Sequence, residues 1–205
     1  MPGVDPVQVA AIAAAKVRGS ALWTRLEWVR THHGDAGLQA LLPELPAAGR
    51  NLIHAPLDRG AWYSYPLFLE LSLAIDRHFG KGDCSLLIEI GRWGSHKNVP
   101  ALYQMFIRMG SVDWVLGRAA KLWSEHFNVG TIDVHREPGH KRAVGELRGW
   151  PRPHVAHCNA VLGFSIGAVE LSGEKNVRGL TVSCRALGAE RCMSKLVWGD
   201  EPDPQ

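Results

Sequence analysis

The chain has 205 residues, 46% of them hydrophobic and 21% charged, the make-up of one packed globular domain and not of a disordered or membrane-embedded polypeptide. Its formal net charge of +3, from 23 basic and 20 acidic residues, is too small for an affinity built on many phosphate contacts, which excludes a dedicated nucleic-acid binder. The excess concentrates between His135 and His154, where Arg136, Lys141, Arg142, Arg148 and Arg152 face Glu137 and Glu146; a solvated hairpin loop and an anion site both suit that run.

The opening M-P-G-V-D-P has no basic segment ahead of its apolar run, so it does not read as a secretory signal. Asp5 followed by Pro6 reads as a helix N-cap with proline at the first helical position. A cytoplasmic location follows as the expectation, with the four cysteines as reduced thiols. Ser20 starts a second helix with Leu22, Leu26 and Val29 on one face, and R-T-H-H-G places His32 and His33 at a helix end near Gly34. Trp62, Tyr63 and Tyr65 around Pro66 suggest a packed turn or a dimer surface. Asp83 can open a helix through Leu87 and Ile90, and Asn98 another through Leu102, Met105, Phe106 and Met109. Ser111 then caps a helix through Val115, Ala119, Leu122 and Trp123 that ends near Gly130.

After Gly130 the period changes. Thr131 to Val134 alternates, and Ala143 to Leu147 returns as its hairpin partner. W-P-R-P-H interrupts the chain before Ala156 to Leu171, which has the length of a helix. The uncharged stretch containing most of it, Pro153 to Val169, holds two histidines, an asparagine and two glycines, and so reads as a buried helix and not a membrane span. Asn176 to Cys184 and Cys192 to Trp198 follow as two strands joined by R-A-L-G-A-E-R. The expected fold is therefore α+β: N-terminal helices, then a small antiparallel sheet in the order β-β-α-β-β, as one domain over residues 1–198 with a disordered tail at 199–205.

Within that scheme Cys158 opens a helix, while Cys184 and Cys192 flank a hairpin turn, so three thiols converge. Such a set suits tetrahedral Zn²⁺, a possible structural cofactor, and it equally suits buried, unligated core thiols. Cys84 lies outside the group.

C-N-A-V-L-G-F-S-I-G-A-V-E followed by V-S-C-R-A-L-G-A-E-R-C resembles the C-terminal half of the 4-vinyl reductase (V4R) domain. That domain occurs in porphyrin vinyl-reduction proteins and as the sensor part of phenol- and toluene-responsive activators. Further upstream, K-V-R-G-S-A-L-W-T-R-L-E-W-V-R-T-H-H-G, R-G-A-W-Y-S-Y-P-L and A-A-K-L-W-S-E-H-F-N-V-G resemble stand-alone myxobacterial proteins of this length, over Lys16 to Trp198. The resemblance implies a fold of the NO-signalling/Golgi-transport ligand-binding type, a homodimer, and zinc on Cys158, Cys184 and Cys192. The family's fourth ligand, a glutamate three positions before the hairpin cysteine, is Thr181 here, which leaves His157, His154, a water or nothing at the fourth position.

A small apolar or aromatic molecule is the expected partner, with Tyr103, Phe106, Trp114, Trp123, His126 and Phe164 as candidate ligand-binding residues; an aromatic stripe at helical spacing is also ordinary core. The chain has no H-E-x-x-H, no Gly-rich phosphate loop and no dinucleotide fingerprint. The function expected is a non-enzymatic regulatory or adaptor domain that acts through a protein partner or its own dimer. An accessory component of tetrapyrrole or aromatic metabolism and a ligand-free interaction scaffold are the alternatives.

Overall fold

The computed structural model describes residues 6–98 and 111–204. Helix α1 (Pro6–Ala14) begins at the proline; Asp5 lies outside the described residues. Two three-residue strands that no periodicity announces, β1 (Lys16–Arg18) and β2 (Trp62–Ser64), pair antiparallel as a sheet of their own. Between them, α2 (Gly19–Leu41) buries Leu22, Leu26 and Val29. Its first amides are satisfied by loop carbonyls, Gly19 N–H to Ala61 O at 2.8 Å and Ser20 N–H to Arg59 O at 2.9 Å, and not by a Ser20 side-chain cap. That close approach requires glycine at 19, because a Cβ there would lie 2.1 Å from the Asp58 carbonyl oxygen. The helix is interrupted at Gly34, whose φ of 66° is left-handed. Just before the break, His32 stacks on Trp28 with centroids 4.4 Å apart and His33 on Phe79 at 4.1 Å.

A short helix, α3 (Ala47–His54), leads towards β2 and then α4 (Tyr65–Phe79), where Ser64 Oγ accepts from Leu67 N–H and Pro66 sits in the first turn. Tyr65, expected at a turn or dimer surface, is instead fully buried, and its hydroxyl donates to the Arg152 carbonyl. The next helix, α5 (Leu86–Asn98), is preceded by an Asx turn in which Asp83 Oδ1 accepts from Ser85 N–H. The helix expected from Asn98 through Met109 falls largely on residues 99–110, outside the described residues. Ser111 does cap a helix, but the expected single element is two: α6 (Val112–Leu116) and α7 (Ala119–His126), separated at Gly117 and Arg118.

The second part is β3 (Thr131–Arg136), β4 (Arg142–Arg148), α8 (Val155–Leu171), β5 (Arg178–Ser183) and β6 (Cys192–Val197). The strands form one antiparallel sheet in the spatial order β3-β4-β6-β5, with a register shift between Thr181 and Ser183. Leu147 of β4 lies opposite Cys192 of β6. Much of the basic excess on this hairpin is engaged in surface ion pairs: Arg136 with Asp113, Arg142 with Glu137, Arg148 with Asp133 and Glu146. Within the stretch expected as a disordered tail, Glu201 accepts from Lys141 N–H at 2.8 Å and Asp203 pairs with Arg178.

Helix α8 is the axis of the molecule. Apolar residues surround it on all sides, as a helix packed on every face requires. It packs closely along α5 and also meets α4, α6, β5 and β6. Glycines carry the α5 contact: a Cβ on Gly163 would fall 2.0 Å from the Ile88 carbonyl oxygen, and one on Gly91 would fall 2.3 Å from that of Ala160. None of the described helices is long and apolar enough to cross a membrane.

Candidate ligand cavity and thiol cluster

The W-P-R-P segment delivers the chain to His154, whose Nδ1 accepts from Ala156 N–H at 3.1 Å and caps α8. From there the helix presents His157, Ala160, Val161 and Phe164 to a cavity of about 130 Å³. Ala21, Thr24 and Arg25 of α2, Phe68 of α4, Gly91 and Gly94 of α5, and Leu122, Trp123 and His126 of α7 form the other helical walls. Ile132, Val134, Gly145 and Leu196 contribute the sheet face. The glycines let neighbouring walls approach closely: a Cβ on Gly94 would meet Thr24 Cγ2 at 2.5 Å, and one on Gly145 would meet Ser194 Oγ at 3.2 Å.

Trp123, His126 and Phe164, three of the six candidate ligand residues, meet in this wall. Trp123 Nε1 donates to the Val129 carbonyl at 2.9 Å, which holds the indole against the cavity. His126 Nδ1 lies 2.9 Å from the Leu122 carbonyl, and its ring is 5.9 Å from Phe164. Trp114 is not in the wall; the Arg118 guanidinium stacks 3.5 Å above its ring. Tyr103 and Phe106 lie outside the described residues.

Two polar wall residues were not among the candidates. His157, weighed from sequence only as a stand-in metal ligand, is 1% exposed, and neither ring nitrogen has a hydrogen-bond partner. It is boxed by Trp150 at 4.4 Å, Phe127 at 5.0 Å, Tyr65 at 5.3 Å and Trp123 at 5.7 Å between ring centroids. Burial, with Arg25 and His154 adding positive charge, drives its conjugate acid down to about 3, so the ring is neutral. Arg25 is 4% exposed: its Nε donates to Ser72 Oγ at 2.6 Å, Nη1 donates to the Ala21 carbonyl at 3.0 Å, and Nη2 has no partner. Desolvation lowers its pKa to about 9, which still leaves the guanidinium charged at neutral pH. The signal for Arg25 lay in the pattern, since it occupies the stripe of Leu22, Leu26 and Val29, where an apolar residue belongs.

G-F-S-I-G at 163–167 has the spacing of a nucleophile elbow, which needs a sharp strand-to-helix turn. Here it lies in mid-helix and Ser165 Oγ is bonded back to the Val161 carbonyl at 2.9 Å, so the serine has neither the turn nor a base.

Behind the cavity the Sγ atoms of Cys158, Cys184 and Cys192 lie within 4.8 Å of one another, Cys158 and Cys184 at 3.6 Å. Burial and the neighbouring sulfurs push the Cys158 thiol well above its ordinary range. No fourth protein ligand completes the group among the described residues. The Thr181 hydroxyl donates to Asn159 Oδ1, His154 Nδ1 is engaged in its cap, and His157 is enclosed by the aromatic box. Cys84 stands apart; its N–H donates to Asp76 Oδ2 at 2.8 Å and its carbonyl accepts from Asn159 Nδ2.

No protein-family model matches the chain, and no curated protein matches it. Solved structures do. An H-NOX protein from S. oneidensis in the Fe(II)NO ligation state superposes with a TM-score of 0.68 at 13% identity, covering 89% of this chain and 99% of that one. An oxygen-binding H-NOX domain related to soluble guanylate cyclases, in its oxygen complex, gives 0.63 at 10% identity over 92% and 97%. A point mutant of an H-NOX protein from K. algicida, in the Fe(II) unliganded state, gives 0.66 at 9% identity over 90% and 97%. Identities this low establish the fold alone: the chain has an H-NOX-like α+β fold.

Two expectations are thereby corrected. The V4R assignment is not upheld, because the matching structures are H-NOX domains and no family model supports V4R; a cysteine-bearing helix and hairpin form a local motif that this fold can carry without that membership. The structural zinc is not upheld either. The metal named in the neighbours is Fe(II), and the thiol group supplies three ligands where a closed zinc site takes four. The three cysteines are buried members of the hydrophobic core.

Proposed function

We propose that the chain is a non-enzymatic sensor domain that binds a compact, mostly apolar molecule in the cavity between α2, α7, α8 and the sheet. The observation that carries this reading is the cavity itself: about 130 Å³ walled by Phe68, Trp123, Phe127, Phe164 and aliphatic side chains, with polar groups at only a few points. Natural ligand sites combine those two features. An enclosed apolar cavity of about 150 Å³ holds one benzene molecule, so the scale is that of a single ring. The H-NOX neighbours, whose structures carry NO or oxygen as ligand, support a sensing role for the fold.

The group those neighbours imply is heme. His126 has an imidazole nitrogen not engaged by the Leu122 carbonyl and would be a wall residue able to hold its iron. A porphyrin joins four pyrrole rings around its metal, whereas the chamber among the described residues, at about 130 Å³, has the scale of one ring. The described residues therefore do not fit an iron porphyrin, and no role is derived through it.

The test is a thermal-shift and calorimetric titration of the purified protein with toluene and, separately, with hemin. Saturating toluene is expected to raise Tm with one-to-one stoichiometry, stabilising by about 2.7 kcal/mol at a hundredfold excess over Kd. Hemin is expected to give no protein-specific Soret band. A stoichiometric Soret band that shifts in His126→Ala would overturn the reading in favour of a heme sensor.

A further inference from the structure

Apolar packing does not account for one charge in the cavity wall. Arg25 stands in an apolar stripe, almost wholly removed from water, and one arm of its guanidinium has no partner. Its cation lies 3.9 Å from the Phe68 ring centroid, and the two other nitrogens are bonded to the neutral Ser72 hydroxyl and Ala21 carbonyl. Among the described residues the only fully buried carboxylate is Asp76, which accepts from the Cys84 amide and forms no ion pair with Arg25. A buried cation without a counter-charge is costly, and proteins retain one where something supplies the missing anion. Beside it His157 offers a neutral imidazole with both nitrogens unpaired, one of which carries a proton to donate. Both residues belong to the cavity wall.

We infer that the cavity's ligand carries a carboxylate: a single-ring aromatic or alicyclic monocarboxylate whose charged end is taken by Arg25, with His157 beside it, and whose ring lies among Leu122, Trp123 and Phe164. This rests on the reading of the cavity as a ligand site and adds the chemical class. The planar guanidinium fork matches the two oxygens of a carboxylate, which no neutral ring of the same size provides. A neutral ligand would fill the apolar space and leave the buried charge as it stands.

Benzoate and toluene are nearly the same size and differ in the group that matters, so the test compares their calorimetric affinities for the wild type, Arg25→Met and Arg25→Lys. Benzoate is expected to bind the wild type on the order of 10- to 100-fold more tightly than toluene, the range a charged hydrogen bond supplies. Arg25→Met is expected to abolish that preference while toluene binding persists, and Arg25→Lys, which keeps the charge and loses the fork, to retain part of it. Toluene binding the wild type as well as benzoate does, or Arg25→Met keeping full benzoate affinity, would overturn the carboxylate. Should Arg25→Met fail to fold, the wild-type pair and Arg25→Lys still decide. Failure of both compounds to bind the wild type would instead defeat the cavity reading from which this inference starts.

Discussion

His157 shows how one residue can be legible as a type and illegible as a role. Its neighbour Cys158 drew attention to it as a metal ligand, yet its position in α8 turns it into a neutral ring among aromatics. That burial has a consequence for stability. In the unfolded chain the imidazole takes up a proton as pH falls below about 6.5, whereas in the folded chain it resists until about 3. The unfolded state therefore binds more protons across that window, and stability is lost as pH falls through it. From about pH 7 to about 4.5 the linkage amounts to about 2–3 kcal/mol. Urea unfolding of the wild type and His157→Phe at both pH values checks this: the wild type should lose that much more than the variant, and parallel losses would contradict it. Arg25 was legible in principle, as a cation at a core position of a helical stripe. The partnerless nitrogen that gives it meaning depends on contacts with α4 that no local pattern encodes.

At the scale of elements, hydrophobic period located most of the long segments. The α2 stripe, the β3–β4 hairpin and α8 all stand close to where apolar spacing puts them. Short elements escaped, since β1 and β2 have three residues each, too few for alternation to register, and they exist because a distant partner completes the ladder, as Arg18 does with Trp62. The α6–α7 break at Gly117 escaped because the apolar spacing continues across it. The closest tertiary contact is between α5 and α8, where glycines let one helix's backbone touch the other. Gly163→Ala places a methyl group 2.0 Å from the Ile88 carbonyl oxygen, so the helices must separate. The expected cost is about 1–3 kcal/mol, as for other overpacked cores, read as a lower midpoint in denaturant. Ser165→Ala on the same helix removes only a back-bond to Val161 and should change the midpoint far less.

For the whole molecule, the α+β class was within reach of sequence patterning, and the family was not. The cysteine-bearing helix and hairpin suggested one lineage, while the assembled backbone superposes on H-NOX domains at identities between 9% and 13%. At that distance the chain path survives and the site chemistry has to be read afresh from the side chains present. Here the described residues form a small apolar chamber with a cation and a neutral imidazole in its wall. The most direct measurement is a crystal structure of the protein grown with iodobenzene, with anomalous scattering used to locate the iodine. A single strong peak is expected inside the chamber, bounded by Trp123, Phe164 and Leu196. Iodine found only on the surface, with the chamber closed or filled by porphyrin density, would contradict it.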